Sequence, residues 1–256
     1  MNRYERLNAI LEILGERGRI EVDEISEQLQ VSGATIRRDL DHLAEQQLLT
    51  RTHGGAVSHA VTYDLPMRYK TVRHAEEKQR IARAAADMVW PGAVVGLNGG
   101  TTSTEVARTL VTRSEGNAVI TVVTNALNIA NELSVRPQVK LVVTGGVARA
   151  QSYELMSSLA EKILNELSLD ITFLGVDAID AVAGASAHHE GEAAINRLLA
   201  ERAGKVVVVA DSSKIGARAF ASICATAEID VLITDTAADE EDVKKFRERG
   251  VHVVQV

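Results

Sequence analysis

The run Asn98-Gly99-Gly100-Thr101-Thr102-Ser103 puts two glycines and three hydroxyl side chains where an apolar stretch gives way to a helical pattern. Free helix N–H groups, permissive glycine backbone and side-chain hydroxyls together suit a phosphate monoester. The run lacks the lysine and spacing of a nucleoside-triphosphate P-loop, and the three-glycine dinucleotide fingerprint is absent. ATP and NAD are therefore not expected, and no cofactor is. Thr124-Asn125 and Thr144-Gly145-Gly146 follow two further apolar stretches and are expected to line the same rim. Asp177, Asp180, Glu190, Glu192, Asp211 and Lys214 come after the later ones. Carboxylates there accept from sugar hydroxyls or move protons, while a lysine pairs with phosphate or holds a carboxylate ionised. His188-His189 beside Glu190 reads as a solvated pair, and no metal site is expected.

A second chemistry lies near the N-terminus. Ser32 can cap a helix over 33–45 whose buried stripe is Ile36, Leu40 and Leu43. At about 100° per residue, Ala34, Arg38 and His42 point away from that stripe, Thr35 lies beside them and Arg37 sits on a flank. A helix end in the major groove needs a guanidinium fork for guanine and a small group near thymine methyls, which Arg38 and Ala34 supply. Beyond it, 48–53, Gly54-Gly55 and Ala56-Val57 read as a hairpin, a wing whose Arg51, His53 and Gly54 could approach phosphates or a minor groove.

These residues need elements to hold them. Leu7, Ile10, Leu11 and Leu14 recur at helical spacing before Gly15 and Gly18, and Asp23 is placed to cap a short second helix carrying Ile25 and Leu29. Helix, short helix, capped helix and wing form a winged helix-turn-helix over 1–57, followed by a linker over 58–74 containing Leu65-Pro66, Arg68, Lys70 and Arg73. From 75 to 256 helical stretches alternate with apolar runs at 93–97, 119–123, 139–143, 171–174, 206–210, 231–234 and 251–254. Continuous apolar runs are buried on both faces, so an α/β domain with a mostly parallel sheet is expected, with ligands at the carboxyl ends of its strands.

Bulk properties narrow the partners. A formal charge of −7 over 256 residues excludes indiscriminate polyanion binding, so any DNA contact rests on a local basic patch. The single Cys224 excludes an internal disulfide and a cysteine-based zinc cluster. No apolar stretch is long enough to span a bilayer, and a cytoplasmic location is expected.

Val31-Ser32-Gly33-Ala34-Thr35-Ile36-Arg37-Arg38-Asp39-Leu40, with Arg51-Thr52-His53-Gly54-Gly55-Ala56 after it, closely resembles the signature of DeoR-type bacterial repressors. The resemblance implies operator binding through the third helix, with Thr35, Arg37 and Arg38 central and the strip from Arg51 to Gly55 in the wing. It continues through Glu77-Lys78, Ile81-Ala82, Gly100-Thr101-Thr102, Thr124-Asn125, Gly145-Gly146, Phe173-Leu174-Gly175 and Asp211-Ser212-Ser213-Lys214. It further implies a sensor domain similar in fold to ribose-5-phosphate isomerase and a sugar-phosphate inducer. Gly99 to Thr102 would hold the phosphate, and Asp177, Glu192 and Lys214 would face the sugar. The chain departs from the pattern at Gln46-Gln47, at Asn98 where aspartate is frequent, at Ala178 where glycine is frequent, and at Ser157-Ser158 where Gly-Pro is common.

The expectation is a repressor of a carbohydrate-metabolism operon, relieved by a phosphorylated sugar and working as a homodimer or homotetramer joined through the second domain. An alternative of another class is a sugar-phosphate isomerase with a helical appendage, using Asp177, Asp180 or Glu190 as acid/base groups.

Overall fold

The computed structural model describes residues 1–46, 48–58, 67–70, 73–113 and 119–256. The chain divides into two compact units, Met1–Val72 and Arg73–Val256, a split inside the stretch read as linker. Gln47 and Leu65-Pro66 lie outside the described residues.

In the first unit α1 (Arg3–Arg17) starts on a capping box: Asn2 accepts the Glu5 N–H, and the Glu5 carboxylate accepts the Asn2 N–H. It ends at Gly18, whose φ of 69° is the left-handed cap that glycine adopts freely. A short strand β1 (Arg19–Glu21) leads into α2 (Val22–Leu29). Asp23 is not the cap of α2: Glu21 holds that position without a side-chain hydrogen bond, and Asp23 meets the helix dipole from the first turn. Next come α3 (Gly33–Glu45), β2 (Thr50–Arg51) and β3 (Gly55–Val57).

The wing has three strands rather than two, in the order β1-β3-β2, because Ile20 pairs opposite Ala56 and brings its own segment into the sheet. Its first expected strand, 48–53, contracts to Thr50–Arg51, since Leu48 and Leu49 turn into the core with Leu7, Ile10, Leu14, Ile25, Ile36, Leu40 and Leu43. A short helix α4 (Met67–Lys70) also belongs to this unit. Met67 and Tyr69 are buried, and Tyr69 stacks on Tyr4 with ring centroids 6.3 Å apart.

The second unit runs α5 (Ala75–Ala86), β4 (Val94–Leu97), α6 (Thr101–Arg113), β5 (Ile120–Thr124), α7 (Leu127–Leu133), β6 (Val139–Val143), β7 (Val147–Ala148), β8 (Leu155–Met156) and α8 (Ser158–Asn165). It continues with β9 (Ile171–Gly175), β10 (Ala178–Asp180), β11 (Gly184–Ala187), α9 (Glu190–Glu201), β12 (Val206–Val209), β13 (Ala221–Cys224), β14 (Val231–Thr234), α10 (Glu240–Glu248) and β15 (His252–Gln255). Seven strands form one sheet, β15-β14-β12-β9-β4-β5-β6, parallel at every pairing. Alternate residues face opposite layers: Val207 and Val209 pack with Ile81, Val106 and Ile129, while Val206 and Val208 pack with Leu164, Leu199 and Phe246.

The expected strands are all present, with ends moved slightly; the last begins at His252 rather than Val251. An antiparallel sheet β10-β11-β13 and the hairpin β7-β8 were not anticipated, because their strands are short and carry no clear alternation. From β4 the chain steps out through β5 and β6, then returns to β9 on the other side of β4 and proceeds to β12, β14 and β15. The strand order thus reverses between β4 and β9, and such switch points open a crevice at the carboxyl ends of the strands.

Candidate functional site

In the first unit Ser32 Oγ accepts the Thr35 N–H at 3.3 Å and lies 2.9 Å from Thr35 Oγ1, so both hydroxyls are engaged in starting α3. Ala34, Arg37 and Arg38 are exposed on that helix, and His42 is half-buried. An ion pair that spacing did not reveal fixes the helix from behind: Arg6 Nε lies 2.5 Å from the buried Asp39 carboxylate, with Arg3 at 3.6 Å. Arg51 is committed within the unit, its Nε 2.8 Å from Asp41 and its Nη1 donating to the Gly55 carbonyl. It ties the wing to α3, leaving His53 and Gly54 exposed at the tip. His42 Nε2 lies 2.7 Å from Gln46 Nε2, and Gln46 Oε1 accepts from the Tyr69 hydroxyl.

In the second unit the β4–α6 loop sits at the switch point. Asn98 bridges the two strands there: its Nδ2 donates to the Gly175 carbonyl and its Oδ1 accepts the Gly175 N–H, each at 2.8 Å, while Ser103 Oγ donates to the same Oδ1. Asn98 is thus a strut. Gly100 has φ 105°, which suits glycine, and Thr101 and Thr102 open α6 with Thr102 buried. Gly99 is required for a different reason from the one spacing suggested. A Cβ there would lie 2.4 Å from Glu154 Oε1, so a carboxyl group packs directly against the loop.

Glu154 is the residue that sequence reasoning missed most clearly. It lies in no periodic stretch, and only the fold brings it beneath the loop. Burial, followed by repulsion from Glu192, pushes its carboxyl up to about 8, with Asp177 adding to the rise and the Asn125 hydrogen bond and Arg149 opposing it. Asn125 Nδ2 donates to Glu154 Oε2 at 3.0 Å, and Asn125 Oδ1, buried beside it, has no hydrogen-bond partner among the described residues. Arg149 Nη1 reaches Glu192 Oε1 at 3.1 Å, and Asp177 Oδ2 accepts the His188 N–H at 2.9 Å. Of the expected carboxylates, then, Asp177 and Glu192 share one spot.

The others sit elsewhere. Asp180 accepts the Val182 and Ala183 N–H groups and pairs with Arg218, Glu190 is exposed in the first turn of α9, and Asp211 caps the turn carrying Ser213 and Lys214. His189 Nδ1 accepts the Gly191 N–H as the cap of α9. Thr124 Oγ1 accepts the Ala126 N–H, Thr144 is buried, and Gly145 and Gly146 take positive φ. A Cβ at Gly146 would lie 2.5 Å from the Met156 carbonyl oxygen.

Lys78 is a second residue missing from the expected set. It is buried on the stripe of α5 that carries Ile81, Ala82 and Ala85, and a lysine at an apolar position was the available signal. Burial pulls its ammonium down to about 8; Asp211 opposes this, and Lys214 and Arg73 reinforce it. The second unit thus offers helix N–H groups at the start of α6, with carboxyl groups and an amide oxygen packed by the β4–α6 loop, and a buried lysine on α5 that feels charges on α6 and after β12. That combination can hold an anionic group attached to a body rich in hydroxyls.

Residues 6–62 match the model of the DeoR-like helix-turn-helix domain, and residues 73–236 match that of the DeoR C-terminal sensor domain. The chain is 37% identical to the HTH-type transcriptional regulator GlpR of Haloferax volcanii, covering 98% of this chain and 96% of that one. It is 34% identical to the HTH-type transcriptional repressor GlcR of Bacillus subtilis, over 99% and 96% of the two chains. With the glycerol-3-phosphate regulon repressor of Escherichia coli K12 it shares 32% identity over 92% of each. Ribose 5-phosphate isomerase A of Methanocaldococcus jannaschii superposes on 55% of this chain and 54% of that one, with 22% identity and a TM-score of 0.42, too loose a likeness to argue from. Among the described residues no helix is long and apolar enough to cross a membrane. With a helix-turn-helix model matched over residues 6–62, a sensor model over 73–236, and regulators aligned over nearly its whole length, the chain belongs to the DeoR family of DNA-binding transcriptional regulators.

Proposed function

We propose that the protein is a cytoplasmic repressor of a carbohydrate-metabolism operon that a phosphorylated sugar releases from its operator. The observation that carries the reading is the β4–α6 loop at the switch point, with Gly100 at φ 105°, the first turn of α6 behind it, and acceptors at Glu154, Asp177, Glu192 and Asn125 to one side. The phosphoryl group sits on the α6 N–H groups, within the span from Gly99 to Thr102, with Lys214 as counter-charge. Sugar hydroxyls donate to Asn125 Oδ1, Asp177 and Glu192, and Thr124, Gly145 and Gly146 form the rim. Asn98 holds the loop and does not touch the ligand. On the DNA side Arg38, Ala34 and Thr35 face base edges, while Arg37, His53 and Gly54 meet the backbone. Ser32, His42 and Arg51 hold the helix and wing in place.

Two-fold operators call for a symmetric oligomer, which the sensor unit assembles. The relatives' names, which speak of a glycerol-3-phosphate regulon and of transcriptional repression, support the same reading. The test is a mobility-shift titration of the full-length protein on the DNA upstream of its own gene, with and without a panel of sugar phosphates, alongside thermal shift. At least one member should raise the melting temperature and release the DNA. Indifference to the whole panel, with the DNA still bound, sinks the reading.

A further inference from the structure

Lys78 has no role in the reading above, and the inference drawn from it rests on that reading. It lies in the first turn of α5, 4% exposed, and its ammonium donates to the carbonyl of Arg73. Arg73 is the first residue of the sensor unit, so the bond is made to the backbone where the chain arriving from the DNA-binding unit enters the sensor. A buried ammonium needs more than one neutral acceptor to offset its desolvation. The ammonium also feels the charges of Asp211 and Lys214 on the turn after β12 and of Glu105, one turn into α6. Helices α5 and α6 pack side by side, and each begins at the carboxyl edge of the sheet. Asp211 attracts the Lys78 ammonium more than Lys214 repels it, and a phosphoryl group brought to the two lysines relieves the repulsion that is left.

We infer that Lys78 is an anion-binding residue of the sensor site and that its hold on the Arg73 carbonyl changes when a phosphoryl group occupies the site, passing occupancy to the chain that leads to α3. The phosphoryl oxygens and the Arg73 carbonyl draw on the same three N–H donors. Ligand binding therefore favours one arrangement of the sensor's entry segment over another, which is the differential interaction that allosteric control requires.

The experiment uses full-length protein, inorganic phosphate and the same sugar-phosphate panel. Lys78→Met keeps the length and apolar character of the stem, and Lys78→Arg keeps the charge. Lys78→Met should bind phosphate about tenfold more weakly and lose the release of DNA by ligand. Lys78→Arg should restore phosphate binding. Undiminished phosphate affinity in Lys78→Met overturns the inference. A second measurement needs no variant: in the wild type, the rate of tryptic cleavage after Arg73 should change when saturating ligand is added, and a constant rate at demonstrated saturation overturns the coupling. If no phosphate compound stabilises the wild type at all, the reading of the β4–α6 loop fails first, a result distinct from either of these.

Discussion

Glu154 carries a proton in the folded chain up to about pH 8, whereas an ordinary glutamate ionises near 4.5. Between those values the native state holds more protons than the unfolded one. The stability Glu154 contributes is therefore complete below about pH 4.5 and is lost as pH rises through about 8. Glu154→Gln removes the titration, so the melting temperature of the wild type should fall relative to the variant across that window; parallel curves would show that the carboxyl ionises normally. On the DNA side, Arg38→Ala should cost roughly 1–3 kcal/mol of discrimination at one base pair. Arg37→Ala should weaken operator and scrambled DNA alike and reduce the salt slope by about one. Competition titrations against single-base operator variants check both, and equal losses at every position for the Arg38 variant would remove its base-reading role.

At the scale of elements, α8 begins on an awkward residue. Ser157 has φ 116° and ψ 171°, a region that only glycine occupies comfortably, and its hydroxyl accepts the Leu159 N–H. Ser158 is the first residue of α8, the helical position that proline favours. These are the positions where the DeoR pattern has Gly-Pro, so the departure noted in the sequence has a structural cost. Ser157→Gly should stabilise the sensor by about 1–2 kcal/mol, the strain relieved exceeding the few tenths lost with the cap. Urea unfolding measures it, and a destabilised variant would mean that the hydroxyl contributes more than the backbone strain. Gly55 shows the opposite case. Its Cβ would lie 1.9 Å from the Ile20 carbonyl oxygen, so Gly55→Ala should break the β1-β3 pairing, destabilise the first unit by about 1–3 kcal/mol and abolish DNA retardation.

The long parallel strands could be read from the sequence because burial on both faces leaves uninterrupted runs such as Val206 to Ala210. Strand β1 could not, because Ile20 has a partner only after the wing folds back at Ala56. Much of the candidate site shares that obscurity. The loop from Asn98 to Thr102 is contiguous and announced itself, whereas Glu154 joins it through packing distant in sequence, and the burial of Lys78 follows from how α5 packs.

At the scale of the whole molecule, a net charge of −7 sits on a chain that binds a polyanion. Attraction therefore comes from a small basic surface against a repulsive background, and specific contacts must supply discrimination. The logarithm of operator affinity should fall linearly with the logarithm of salt concentration, with a slope of about −0.9 for each phosphate neutralised. A salt-independent affinity would mean that the guanidinium face of α3 is not the contact surface.

The Asn98 amide, fastened by both of its polar atoms to Gly175, means that the cradle is assembled before anything enters it. On the proposed function, a metabolite bound there has little backbone to freeze, so capture should be quick and calorimetry should register only a modest heat-capacity change. An ionised aspartate here could accept the Gly175 amide hydrogen but would leave the Gly175 carbonyl without that donor.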